Sequence, residues 1–175
     1  MIKKGAILEV KKFIRLKVPR TKTASKAIGI AEKVLDGKPD IIGLADSVGV
    51  AVPDQIKRTF SLIKELAPDL PLRTHLHNTR NTGLANAAAA IEAGVTIVDA
   101  STGGIGGCPF APKATGNIPT DDLLYMLDRS GIETGVNLNH IVENSEWLET
   151  KLGRAVPAMV PKAGIFPENA EINMQ

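Results

Sequence analysis

The sequence predicts an α/β protein built on a parallel sheet. Short apolar runs alternate with longer segments of helical spacing, the pattern of successive βαβ units. The short runs, such as "IIGLAD" and "VTIVDAS", are apolar up to a polar end, as strands covered on both faces require. Polar residues gather where these runs end: Asp46 and Ser47, His75 to Asn78, Asp99 and Ser101. In parallel α/β sheets that end builds the site.

The elements follow in order. Residues 1–20 form a basic segment to which no element is assigned, and residues 21–175 form the folded domain. "TASKAIGIAEKVLDG" carries apolar residues at Ala27, Ile30, Ala31, Val34 and Leu35 and should close on Gly37 as a C-terminal cap. "PDIIGLADS" is a buried strand. "VPDQIKRTFSLIKELAPD" opens with Pro53 in a first-turn position and Asp54 beside the positive end of the helix dipole. Its stripe is Ile56, Phe60, Ile63 and Leu66. "LPLRTHLH" is a short strand, and "NTGLANAAAAIEAG" is an alanine-rich helix stopped by Gly94. "VTIVDAS" is the next strand. Beyond a glycine-rich loop come the helices "TDDLLYMLDRSG" and "NLNHIVENSEWLETKLG", and the Pro- and Gly-containing tail from Arg154 should be loose.

Bulk properties narrow the function. The chain has 175 residues, room for one domain with a substantial core. No apolar run approaches the roughly 18 residues that span a bilayer, so no membrane partner is expected. The single cysteine, Cys108, excludes an internal disulfide framework and suits a reducing, cytoplasmic setting. Nine Lys or Arg residues lie between Lys3 and Lys26 against one acid, Glu9. No aromatic residues interleave with these charges as a single-strand nucleic-acid surface would need, so no nucleic-acid partner is expected.

His75 and His77 are two of only three histidines and stand at the period of a strand, so both rings should face one side. Two imidazoles on one face can begin a divalent-metal site. Asp46, Asp99 and Asn117 are the oxygen donors near strand ends, and this mixed set does not by itself choose a metal. The loop "STGGIGGCPFAPKATGN" delivers Cys108 to the mouth of the sheet. Gly103, Gly104, Gly106 and Gly107 give it the freedom of a lid.

The stretch from "RTHLHNTRNTGLANAAAA" through "GGCP" and "GN" to "GIETGVNL" resembles the C-terminal half of the hydroxymethylglutaryl-CoA lyase family. This family belongs to the metal-dependent TIM-barrel lyases and synthases. "IIGLADSVGVAVP" is similar to the family's sixth strand and "IVDAS" to its eighth. The resemblance implies a partial (β/α)8 barrel, about strands five to eight with their helices, plus a C-terminal helix. It implies His75, His77 and Asn117 as ligands of Mg²⁺ or Mn²⁺. Cys108, His75 and Asp46 become the catalytic residues, with Asp46 beside the reacting hydroxyl and Cys108 moving a proton. The implied reaction splits 3-hydroxy-3-methylglutaryl-CoA, an acyl-CoA, into acetyl-CoA and acetoacetate.

Two departures stand against the family pattern. Asn78 takes the place of an aspartate common after the His-x-His pair, and nothing in Met1–Asp40 matches the Arg-Asp pair of the first strand. The expectation is therefore a half-barrel that forms a homodimer or another association covering its open edges. Two other readings carry a different function: a non-catalytic fragment that binds a partner chain, and a His-x-His metal hydrolase.

Overall fold

The computed structural model describes residues 13–17, 24–107, 113 and 115–166. Four strands, β1 (Phe13–Lys17), β2 (Ile41–Asp46), β3 (Leu72–Leu76) and β4 (Ile97–Asp99), form one sheet in the order β1-β2-β3-β4. Every pairing is parallel. Helices α1 (Ala24–Leu35), α2 (Pro53–Leu66) and α3 (Gly83–Glu92) make the crossovers, and α4 (Thr120–Arg129), α5 (Leu138–Leu152) and the short α6 (Val160–Ala163) follow. None of the described helices is long and apolar enough to cross a membrane.

Strand order equal to chain order means the sheet is wound in one direction, unlike a doubly wound sheet whose order reverses. The helices therefore stack on one face. Ile42, Leu44, Leu72 and Leu76 point to that face and share a single core with Ala31, Ile56, Phe60, Ile63, Ala90 and Leu123. Phe60 is fully buried, and burial of such a side chain stabilises by about 1.5–3 kcal/mol. The alternate residues of the strands look the other way, and that face carries the histidines.

Several expectations need correction. The basic segment 1–20 contains a strand: Phe13–Lys17 pairs along its length with Ile41–Ala45. The hydrogen bonds of a neighbouring strand outweigh the charge of the sequence. Helix α1 ends at Leu35, and the left-handed residue after it is Lys38 (φ 48°), not Gly37. Ile30 and Leu66 are 42% and 40% exposed, so their stripes are narrower than the spacing suggests.

Nor is the tail loose over its described residues, 154–166. Val156 and Ala158 are buried; the Ala158 N–H donates to Gly103 O, and carboxylates from the two preceding helices hold the backbone around them. Glu149 Oε1 accepts from the Val156 N–H at 2.8 Å, and Asp122 Oδ1 accepts from the Val160 N–H at 2.8 Å. Asp121 accepts from the Gly103 N–H at 2.7 Å and from the Ser145 hydroxyl. The two acids at the start of α4 thus hold a loop and a tail besides facing the helix dipole. Gly103 must be glycine here: its φ is +67°, and a Cβ would stand 2.9 Å from the Val156 side chain.

Candidate active site

Arg73, His75 and His77 alternate with the core residues Leu72, Thr74 and Leu76, so all three face away from the helices. The two imidazole rings lie 5.3 Å apart, centroid to centroid, at 62°. His75 keeps a quarter of its side chain exposed, whereas His77 is 4% exposed. The spacing of two does place both rings on one face at the C-terminal end of β3.

Asn117 reaches them by backbone pairing. After the glycine loop the chain returns antiparallel to the end of β3, and Asn117 forms a bridge with His77. The Asn78 N–H donates to Gly116 O at 3.0 Å and the Ile118 N–H donates to Leu76 O at 3.2 Å. These bonds flank the pair, which makes it a non-hydrogen-bonded one with both side chains on the same side, Cβ atoms about 4.5–5.5 Å apart. Gly116 permits the return: its φ is +149°, and a Cβ there would meet Gly104 O at 2.3 Å.

The Asn117 amide is fixed by its nitrogen. Nδ2 donates to Ile105 O at 3.0 Å and Gly106 O at 3.2 Å. The opposite atom, Oδ1, is buried and makes no hydrogen bond among the described residues. Leaving such an acceptor unsatisfied costs about 1–3 kcal/mol unless a ligand meets it.

Asp46 does not join this group. It ends β2 in register with Leu76, which puts its side chain on the helix face, away from the imidazoles. Its carboxylate folds back on its own loop, with Oδ1 accepting from the Gly49 N–H at 3.0 Å and Oδ2 from the Ala51 N–H at 2.8 Å. Its backbone carbonyl accepts from the His77 N–H at 3.2 Å. Asp46 is therefore placed to hold the β2–α2 loop against the histidine strand. Asp46→Asn keeps one acceptor and leaves one buried amide facing an NH₂ group. It should lose about 2 kcal/mol of stability and roughly 4–8 °C in Tm, read by thermal denaturation. An unchanged Tm would show that the loop does not depend on this carboxylate.

Sequence reasoning named Asp99 only as a strand-end oxygen donor and missed Arg73, which the sheet brings to it. Asp99 on β4 is in register with His75, and Arg73 lies one layer below on the same face. Arg73 Nε and Nη2 both stand 2.8 Å from Asp99 Oδ1, while His75 Nδ1 is 3.4 Å from Asp99 Oδ2. Burial pushes the Asp99 carboxyl up, but the hydrogen bonds from His75 and Arg73 together hold it below the usual range. Asp99 was visible as a strand-end acid. Arg73 was visible only by its spacing of two from His75, and nothing local links it to β4.

Among the described residues no three His, Cys, Asp or Glu side chains cluster as a metal site does. His75, His77 and Asn117 Oδ1 could supply donors to a divalent cation: two imidazoles, and a buried amide oxygen that no donor among the described residues satisfies. Cys108 lies outside the described residues, and the loop leading to it is exposed at Gly106 and Gly107.

The sequence model of the HMGL-like family matches residues 16–148. An (R)-citramalyl-CoA lyase from Chloroflexus aurantiacus is 48% identical over 141 residues, 79% of this chain and 44% of that protein. A hydroxymethylglutaryl-CoA lyase from Bacillus subtilis is 35% identical over 133 residues, 76% of this chain and 44% of its own. The structure is similar to an HMG-CoA lyase from Acinetobacter baumannii solved with coenzyme A and 3-methylmalate. That match has a TM-score of 0.81 at 36% identity and covers 91% of this chain and 54% of the other. A Bacillus subtilis HMG-CoA lyase structure gives 0.73 at 30% identity, covering 86% and 53%. The chain spans less than half the length of these two curated relatives. By the match across most of its length, the chain belongs to the HMGL-like family.

Proposed function

We propose that this chain is the metal-holding, C-terminal part of a lyase that cleaves 3-hydroxy-3-methylglutaryl-CoA to acetyl-CoA and acetoacetate. The observation that carries the reading is the meeting of His75, His77 and the unsatisfied Asn117 Oδ1 on the sheet face opposite the helices. On this reading the four strands are strands five to eight of a (β/α)8 barrel, the body of that half takes in β1 as well as the expected 21–175, and α5 is its terminal helix. A barrel closes with eight strands. The outer edges of β1 and β4 are where the other strands would pair, in a homodimer or another association that covers them.

His75, His77 and Asn117 would hold Mg²⁺ or Mn²⁺. When bound, such a cation supplies Lewis acidity towards the hydroxyl and carboxylate oxygens of the substrate. In the cleavage the tertiary hydroxyl gives up its proton and its oxygen becomes a carbonyl. The carbon–carbon bond to the neighbouring methylene breaks, and its electron pair passes into the thioester enolate. That enolate takes up one proton at carbon to give acetyl-CoA. Cys108, on the glycine loop, would close over the substrate and supply or hold the proton at Sγ, and a reducing cytoplasm would keep it a thiol. Asp46 acts one step back, by holding the loop that packs against His77.

One observation favours a second substrate. The relative that is 48% identical is a citramalyl-CoA lyase. Citramalyl-CoA shares the thioester, the methylene and the tertiary hydroxyl, and lacks one methylene before the carboxylate. Both thioesters should be offered, with Mn²⁺, to the chain supplied with the N-terminal half of a related lyase. Acetoacetate is the expected product. Pyruvate from citramalyl-CoA alone would select the second substrate, and release of acetyl-CoA from neither would refute both.

A further inference from the structure

The trio Arg73, Asp99 and His75 has a geometry that fixes more than the position of a ring. Parallel register sets Ala45, His75 and Asp99 side by side across three strands, with Arg73 two residues upstream of His75 on the same face. Both guanidinium contacts of 2.8 Å fall on one oxygen of Asp99, which leaves the other oxygen 3.4 Å from His75 Nδ1, within ion-pair reach. An ionised carboxylate can only accept, and a guanidinium can only donate. The proton of a neutral His75 ring therefore belongs on Nδ1, and the lone pair on Nε2 points away from Asp99.

We propose that Asp99, anchored by Arg73, is a positioning residue that holds His75 in its Nδ1–H tautomer and so presents Nε2 as a donor to the site. The inference deepens the proposed function, because it rests on His75 being a ligand. A plain ion pair tying the edge strand β4 to β3 would need the Arg73 contact but no preference in the ring. The tautomer is the property that separates the two roles.

Long-range ¹H–¹⁵N NMR on the whole ¹⁵N-labelled chain reads it directly, recorded near pH 8.5, about two units above the ordinary imidazole range. With three histidines in the chain, His75 is assigned by its loss in His75→Gln. The wild-type protein should show protonated Nδ1 and bare Nε2. In Asp99→Asn the amide can turn its NH₂ towards Nδ1, so the proton should move to Nε2, the error that a carboxylate partner prevents. Asp99→Glu should restore the original form. Mn²⁺ affinity, from the free-ion EPR signal, should fall about 10- to 100-fold in Asp99→Asn.

A bare Nδ1 in the wild type would overturn the inference without any variant being needed. So would a tautomer that Asp99→Asn leaves unchanged. A tautomer that switches while Mn²⁺ affinity holds would sustain the positioning role and refute His75 as a ligand, so the two claims fail separately.

Discussion

Exchange of either His75 or His77 for alanine is expected to lower Mn²⁺ affinity by more than about 100-fold. Loss of a residue that only supports a ligand costs about 10- to 100-fold. Loss of one donor from a set to which this chain brings three should exceed that. The variants differ in their side effects. His75 is partly exposed and can be shortened with little damage, whereas His77 is buried beneath the returning strand, and its removal also leaves a void. His75→Ala is therefore the cleaner test, and His77→Ala should be paired with a thermal melt. The third histidine, His140, is exposed in the first turn of α5 and is the internal control. Calorimetric titration should find His140→Ala indistinguishable from wild type. Equal losses in all three variants, or none, would mean that Mn²⁺ is bound elsewhere.

The second large effect concerns turnover. Alone, the chain should release acetyl-CoA from either thioester at a rate close to the uncatalysed one. Addition of the N-terminal half of a related lyase, joined to the chain or co-expressed with it, should raise that rate by more than about 100-fold. Two physical reasons converge. Two imidazoles and one amide oxygen are neutral donors, so a cation that they hold still lacks an anionic ligand to complete its shell for catalysis. The sheet also has outer edges at β1 and β4, and an unpaired edge is a surface for wrong association as well as right. Acetyl-CoA separated by chromatography gives the rate, and His75→Ala in the joined protein should return it to background. Robust turnover by the isolated chain would contradict the reading of the site as partial.

How much of this was legible in the sequence depended on whether the information was local. The helices from Ala24 to Glu92 and the strand "IIGLAD" follow from apolar spacing, and the common face of His75 and His77 follows from a period of two. The partnership of Asp99 with His75 and Arg73 does not, because it depends on the register between β3 and β4, which no local pattern encodes. The same blindness misplaced Asp46. A strand-end acid was expected at the site, but register with Leu76 turns it to the helix side, and the amides of Gly49 and Ala51 bind it there. The tail was misread for a complementary reason. Proline and glycine spoke for a loose segment, while Glu149 in α5, seven residues away, and Asp122 in α4, 37 or 38 residues away, supply the acceptors that order its backbone. Asn117 was named from the sequence as a strand-end oxygen donor, and its role as a ligand came from family resemblance. What positions it is the antiparallel bridge to His77, allowed by a glycine that only a tight backbone approach explains.

The most direct test of the central claim, that this chain carries the metal-holding part of the site, is to locate the cation. Crystals of the chain grown with Mn²⁺ and measured at the manganese absorption edge would show it as an anomalous difference peak. The account predicts a peak enclosed by His75, His77 and the Asn117 amide, and its loss in crystals of His75→Ala. A well-occupied peak elsewhere on the chain, with those three side chains left unliganded, would contradict it.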